Sequence, residues 1–279
     1  MRRTIEVPGG RIAYERSGDG RPVVFLHAGA LDMRMWTPQV AGFDAGWTVV
    51  RTDARGHGAS STPDRPFRQC DDIAAVTSDL GLGPAVLVGV SMGGAAAVDT
   101  ALEHPALVAG IVVIGAGATG HAGRDDELFV DPWTRERLRR LASAAAAGDP
   151  AAWTETFVEI NLAGPQRPLT RVDPVLVDEV RRMITDTLVT HAAGLGVLPE
   201  PVTDAPARIA EITVPVLGIA GALDSPDHLR MVSELVDGVD RGRLEIIEGA
   251  AHLPNLEQPA AFDAVLRGFL DEVAAARVG

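Results

Sequence analysis

Short, nearly continuous apolar runs recur along the chain at residues 22–26, 48–51, 85–90 and 108–114. They are rich in β-branched residues and too short for helices, the pattern of strands buried on both faces of a parallel sheet. Ahead of them, residues 4–7 and 11–16 alternate apolar and polar around Pro8-Gly9-Gly10, which predicts a hairpin. Helical spacing appears between the runs, over 35–41, 71–80 and 92–103, the last ending before Pro105. The alternation resumes after residue 210, with strands at 214–220 and 244–247 and helices at 226–236 and 256–275. Strand and helix taken in turn predict an α/β sheet with helices on both faces.

Residues 119–206 break this rhythm. They hold no strand pattern and predict helices at 131–147, 150–162 and 174–190, separated by Gly and Pro. The expected organisation is therefore a core of residues 1–118 and 207–279, with a helical insertion at 119–206. Four of the twelve aromatic residues (Phe129, Trp133, Trp153 and Phe157) fall in the insertion. Most are expected to pack it onto the core, with one or two lining an apolar pocket. The arginine cluster in "TRERLRR" is expected to be a solvated helix face, since the insertion as a whole is acidic.

Composition narrows the function classes. The chain has 279 residues and a net charge of −13, so most of its surface repels nucleic acid. Every basic residue is arginine, which excludes a Schiff-base or general-acid lysine. The single Cys70 can form no internal disulfide and lies in no metal-ligand spacing. The start "MRRTIEVPGG" lacks the apolar run of a secretory signal, and no stretch is long enough to span a bilayer. A cytoplasmic protein with no membrane or nucleic-acid partner is the expectation; oligomeric state is not readable.

The chemistry gathers around "LVGVSMGGAAAV". Ser91 lies between the strand 85–90 and the helix 92–103, a sharp turn that exposes its hydroxyl at the carboxyl edge of the sheet. Gly89 and Gly93 let strand and helix approach closely, and the Met92 N–H at the helix start can hold a developing oxyanion. A serine hydroxyl needs a base to take its proton. Of seven histidines, His252 follows the strand 244–247 in "IIEGAAHLPNLEQP", a loop at the same edge. Asp224, after the strand 214–220 in "GIAGALDSPDH", is placed to orient it. The neighbouring Asp227 reads instead as the N-cap of the next helix. His27 and His57 are expected to fix loop shape through backbone hydrogen bonds, and His104 to sit at a helix end. His121, His191 and His228 have no assigned partner.

With the order Ser91, Asp224, His252, the chain resembles the α/β-hydrolase fold superfamily, in particular its esterase- and lactonase-like members with a serine nucleophile. "VVFLHAGALDMRMW" resembles the family's strand-3 loop, and "RTDARGHGAS" (Asp53, Arg55, Gly56, Gly58, Ser60) its strand-4 loop. The resemblance implies a second oxyanion N–H from Gly29, although the family more usually has His-Gly where this chain has His27-Ala28. It also implies that the insertion 119–206 is a cap over the active site. Some members place the acid after the strand here at 108–114, but "GAGATGHAG" offers no carboxylate before Asp125, which favours Asp224.

The resulting expectation is a serine hydrolase that cleaves a small carboxylic ester or lactone through an acyl-enzyme, with no metal or organic cofactor. A thioesterase, amidase or acyltransferase uses the same triad. A ligand-binding receptor of this fold with little turnover is the alternative from another class; stoichiometric labelling without product release distinguishes it.

Overall fold

The computed structural model describes residues 2–43, 46–81, 83–120, 128–194 and 196–276. His121 and Asp125 lie outside the described residues. An eight-stranded sheet has the order β1-β2-β4-β3-β5-β6-β7-β8. The predicted hairpin is β1 (Arg2–Val7) and β2 (Gly10–Ser17), paired antiparallel. β2 also runs antiparallel to β4 (Trp47–Thr52). The other strands, β3 (Arg21–Leu26), β5 (Ala85–Val90), β6 (Val108–Ile114), β7 (Val216–Gly221) and β8 (Gly242–Ile247), continue the sheet in parallel.

Burial on both faces accounts for the continuous apolar runs. Along β3, Val23 and Phe25 face one core while Val24 and Leu26 face the other. Along β6, Val112 and Ile114 face the first and Ile111 and Val113 the second. α1 (Thr37–Phe43) and α8 (Pro259–Ala275) cover the first face through Phe43, Phe262 and Leu266. α2 (Gln69–Asp79), α3 (Met92–Glu103) and α7 (Pro226–Asp237) cover the second through Ile73, Ala97 and Leu235. Each fully buried Val, Leu or Ile contributes about 1.5–3 kcal/mol.

Between β6 and β7 the described residues form helices, turns and loops, with one isolated bridge from Pro199 to Phe67. α4 (Pro132–Ala147), α5 (Pro150–Val158) and α6 (Pro174–Thr190) begin alike. Asp131, Asp149 and Asp173 cap them through side-chain oxygens, and proline follows at the first helical position. There the missing N–H costs nothing and the fixed φ suits a helix. Gly148 ends α4 at φ 62°, a left-handed conformation that glycine adopts without strain.

Three predicted helices differ in detail. The one at 35–41 is a 3₁₀ turn, Met33–Trp36, leading into α1. The one at 150–162 is α5 widening into a π-turn, Glu159–Ala163. The closing helix is divided into a single turn, Pro254–Glu257, and α8, because Pro259 forces Gln258 out of the helical region (φ −136°, ψ 58°). Among the described residues, no helix is long and apolar enough to cross a membrane.

Candidate active site

Parallel pairing brings the carboxyl ends of β3 through β8 to one edge. Chain direction across the sheet reverses at β3, which lies between β4 and β5. The loops after β3 and β5 therefore diverge and leave a crevice, the usual ligand position in such sheets. Ser91 follows β5 at φ 53°, ψ −115°, a strained backbone for a residue with a side chain, costing about 1–3 kcal/mol. Its N–H donates to Ile114 O at 2.8 Å, and α3 starts at the next residue. A Cβ at Gly89 would strike the backbone of Gly93, while one at Gly93 would strike Leu26 and His27 at the end of β3. The second glycine thus brings the helix against the neighbouring strand as well as its own.

Met92 N–H is the first of α3 and has no partner within the helix. Gly29 lies across from it: a Cβ there would stand 3.9 Å from Met92 Cβ. The loop carrying Gly29 is braced by both motif histidines. His27 Nε2 accepts from Ala54 N–H at 2.9 Å while its Nδ1 contacts Ala28 O at 2.8 Å. His57 Nε2 accepts from Ala30 N–H at 3.1 Å and its Nδ1 contacts Arg55 O at 2.9 Å. These partners assign an Nδ1–H tautomer to each. Burial holds both below the ordinary imidazole range, His57 at about 3. With both nitrogens engaged, neither is free to act as a base. Strain in this loop falls on Ala30, at φ 58°, while the unusual Ala28 is buried. Asp53 ties the two loops together, accepting from Met33 N–H and Ala59 N–H at 2.8 Å each.

Asp224 and His252 meet as expected. His252 Nδ1–H donates to Asp224 Oδ2 at 2.7 Å, and both side chains are buried. This leaves Nε2 as the nitrogen able to take a proton. No hydrogen bond joins His252 to Ser91; their proximity is established through β6. Ser91 N–H is bonded to Ile114 O, and a Cβ on the adjacent Gly115 would stand 2.6 Å from His252 Cε1 and 3.3 Å from Asp224 Oδ2. Gly115, at φ 59°, thus leaves the space in which the imidazole sits. In the sequence, Gly115 is one of several glycines in "GAGATGHAG", and nothing local marks it as the seat of the imidazole.

Three further features were not anticipated. First, Asp224 serves a second imidazole: His228 Nδ1 is 2.9 Å from Asp224 Oδ1, and its ring lies 4.2 Å from that of His252. Second, Ser225 rather than Asp227 caps α7, accepting from His228 N–H. Asp227, the expected cap, instead accepts from Val130 and Asp131 N–H at 3.1 and 3.0 Å and joins the 119–206 segment to α7. Third, the His252 loop is held from that same segment. His252 N–H donates to Asn161 O, and Arg167 pairs with the buried Glu257, which also accepts from Ala251 and Leu253 N–H.

The electrostatics follow from these contacts. Burial opposes charge on Asp224, but the two imidazoles outweigh it and hold the carboxyl below its usual range. Burial lowers His252, with the Asp224 charge only partly offsetting it. For His228 burial also acts downward, yet the Asp224 charge prevails and raises it. Asp224, His228 and His252 have ligand atoms within 4.8 Å of one another, and both Nδ1 atoms face the carboxylate, so the three side chains form one buried hydrogen-bonded cluster. Cys70, Asp71 and His104 are also that close, a proximity hidden in the sequence because α2 and the end of α3 supply it. Burial pushes the Cys70 thiol up to about 12.

A cleft of about 230 Å³ lies beside Met92 and Ala30. Phe67, Trp153, Leu188 and Val197 supply much of its apolar lining, and Thr187 adds a buried hydroxyl without a hydrogen-bond partner. Arg55, its one guanidinium among the described residues, is bound to Asp72 at 2.6 and 2.8 Å. Of the four aromatics between β6 and β7, Trp153 lines the cleft and stacks on Phe157 at 4.7 Å, whereas Phe129 meets His228 edge-on. Trp133 packs under Arg137, which with Arg140 is bound to Glu159, so the arginine cluster is partly neutralised within its own segment.

A family model described as the alpha/beta hydrolase family matches residues 23–265. The chain is 28% identical over 261 residues to 3-oxoadipate enol-lactonase 2 of Acinetobacter baylyi, covering 90% of each. It is 29% identical over 267 residues to a pimeloyl-[acyl-carrier protein] methyl ester esterase of Edwardsiella ictaluri, covering 90% of this chain and 93% of that one. Its fold superposes on a thermophilic esterase from Thermogutta terrifontis with a TM-score of 0.78 at 26% identity, covering 98% and 99% of the two chains. With sheet order, strained serine turn and family match in agreement, this chain belongs to the α/β-hydrolase family.

Proposed function

We propose that the protein hydrolyses a small carboxylic ester or lactone through an acyl-enzyme on Ser91. The observation that carries this reading is the His252–Asp224 pair, with Nδ1 committed to the carboxylate at 2.7 Å, packed against the Gly115 backbone that adjoins the Ser91 turn. Ser91 Oγ attacks the carbonyl carbon as His252 Nε2 takes its proton, and Asp224 stabilises the imidazolium. The N–H groups of Met92 and Gly29 receive the oxyanion. His252 then protonates the departing alkoxide and activates the water that releases the acid.

The residues between β6 and β7 act in this reading as a cap (119–206) over a core of 1–118 and 207–279. The cleft is read as the seat of the substrate's apolar part, with Thr187 available for one polar atom. The named activities of the two relatives, lactone and methyl ester hydrolysis, support the same bond class.

The test is hydrolysis of a panel of acyl esters and lactones by the wild type and Ser91→Ala. Turnover lost in the variant is expected. Turnover that persists in the variant refutes the assignment. Labelling without product release would favour a receptor.

A further inference from the structure

Asp224 is shared. Its Oδ2 accepts from His252, while Oδ1 accepts from Ser225 N–H at 2.7 Å and faces His228 Nδ1 at 2.9 Å. The two imidazoles overlap, with ring centroids 4.2 Å apart and planes 32° apart, and both are buried. Two imidazolium ions at that separation away from water repel strongly, so the pair carries one proton before it can carry two.

Their surroundings are unequal. His228 faces Asp224 and Ser225 from the β7–α7 loop, Asp227 on its own helix and His252 from the β8 loop; Phe129 packs on it edge-on. Asp227 is 1% exposed, with Arg230 3.7 Å away, and its carboxylate adds to the negative potential at His228. His252 is paired with Asp224 alone among the carboxylates.

We infer that His228 is a positioning residue that takes the first proton of the cluster and thereby keeps His252 unprotonated, and ready as the base, at lower pH. The inference rests on the reading of His252 as the catalytic base. A charged His228 occupies Oδ1 and stands beside the His252 ring; both effects disfavour a proton on His252 in the resting enzyme. Removing that charge while keeping a hydrogen-bond donor should therefore make His252 easier to protonate.

The experiment is the pH profile of kcat/KM on one ester for the wild type, His228→Gln and His252→Gln. For His228→Gln the acid limb is expected to move up by about one pH unit, leaving about a tenth of the wild-type rate on that limb and a plateau within a few-fold. A structural role alone would scale the plateau and leave the limb in place, and that result, or a limb moved downward, overturns the inference. His252→Gln separates the two claims. If it keeps full activity, the base assignment itself is wrong. If it is inactive while His228→Gln matches the wild-type limb, only the role of His228 fails. Imidazole nitrogen NMR on the wild-type protein gives an independent reading should His228→Gln not fold. His228 is expected to acquire its second ring proton at a higher pH than His252, and the reverse order overturns the inference.

Discussion

Asp224→Asn changes one oxygen for an NH₂ at constant size, and the surrounding donors dictate how the amide lies. Ser225 N–H can only donate, and it meets Oδ1 at 2.7 Å, with His228 Nδ1 a further 2.9 Å neighbour of that atom. The amide oxygen must take this side. The amide NH₂ then faces His252 Nδ1 in place of the 2.7 Å acceptor. To accept from it, His252 must carry its proton on Nε2, the atom that should receive the proton of Ser91. The base is then in the wrong tautomer, with the fold unchanged. In serine proteases this change lowers kcat by about 10⁴, or about 5.4 kcal/mol at 1.36 kcal/mol per tenfold. The assay is kcat on an ester cleaved by the wild type, with circular dichroism to confirm folding. Asp227→Asn is the control; its carboxylate holds Val130 and Asp131 N–H rather than an imidazole, and it should stay within about tenfold. A folded Asp224→Asn enzyme within tenfold of the wild type would refute the tautomer argument.

Three other perturbations separate site from scaffold. Gly115→Ala places a methyl 2.6 Å from His252 Cε1 on a backbone at φ 59°; displacement of the imidazole by about 1 Å should lower kcat about 100-fold, read by steady-state kinetics on protein whose folding is checked separately. Trp153→Ala opens the cleft and should raise KM for long acyl esters about tenfold while sparing acetate esters, measured as KM against chain length. Phe262→Ala leaves a cavity next to Trp36 in a fully buried core and should cost about 3–5 kcal/mol in denaturant unfolding, without altering the acyl preference of the folded enzyme.

The centre of the sheet was readable because β5 and β6 are buried on both faces and stand out as uninterrupted apolar runs, whose ends agree with the predicted residues. Ser91, Asp224 and His252 were locatable because a parallel sheet delivers every such loop to one edge. Contacts made across that edge left no local pattern. His228 lies in the first turn of an amphipathic helix, and nothing in "SPDHLR" reveals that Asp224 and His252 enclose it. Ser225, followed by Pro226 at the first helical position, carries the same cap-then-proline signal as α4, α5 and α6, whereas the contacts of Asp227 with the N–H groups of residues 130 and 131 come from a distant segment and leave no local pattern. Glu257 similarly lies within the predicted closing helix, whereas the fold buries it beside Arg167 and the His252 loop; burial raises it to about 7 although the Arg167 charge acts downward. The break before α8 has a local signal in Pro259, which pushes Gln258 out of the helical region.

Labelling with a fluorophosphonate, followed by peptide mass spectrometry, addresses the nucleophile most directly. The account predicts one adduct per chain, on the peptide carrying Ser91, with activity lost in step and no adduct in Ser91→Ala or in wild-type protein unfolded beforehand. An adduct on another residue, or a Ser91→Ala variant that is labelled and still turns over ester, would contradict it.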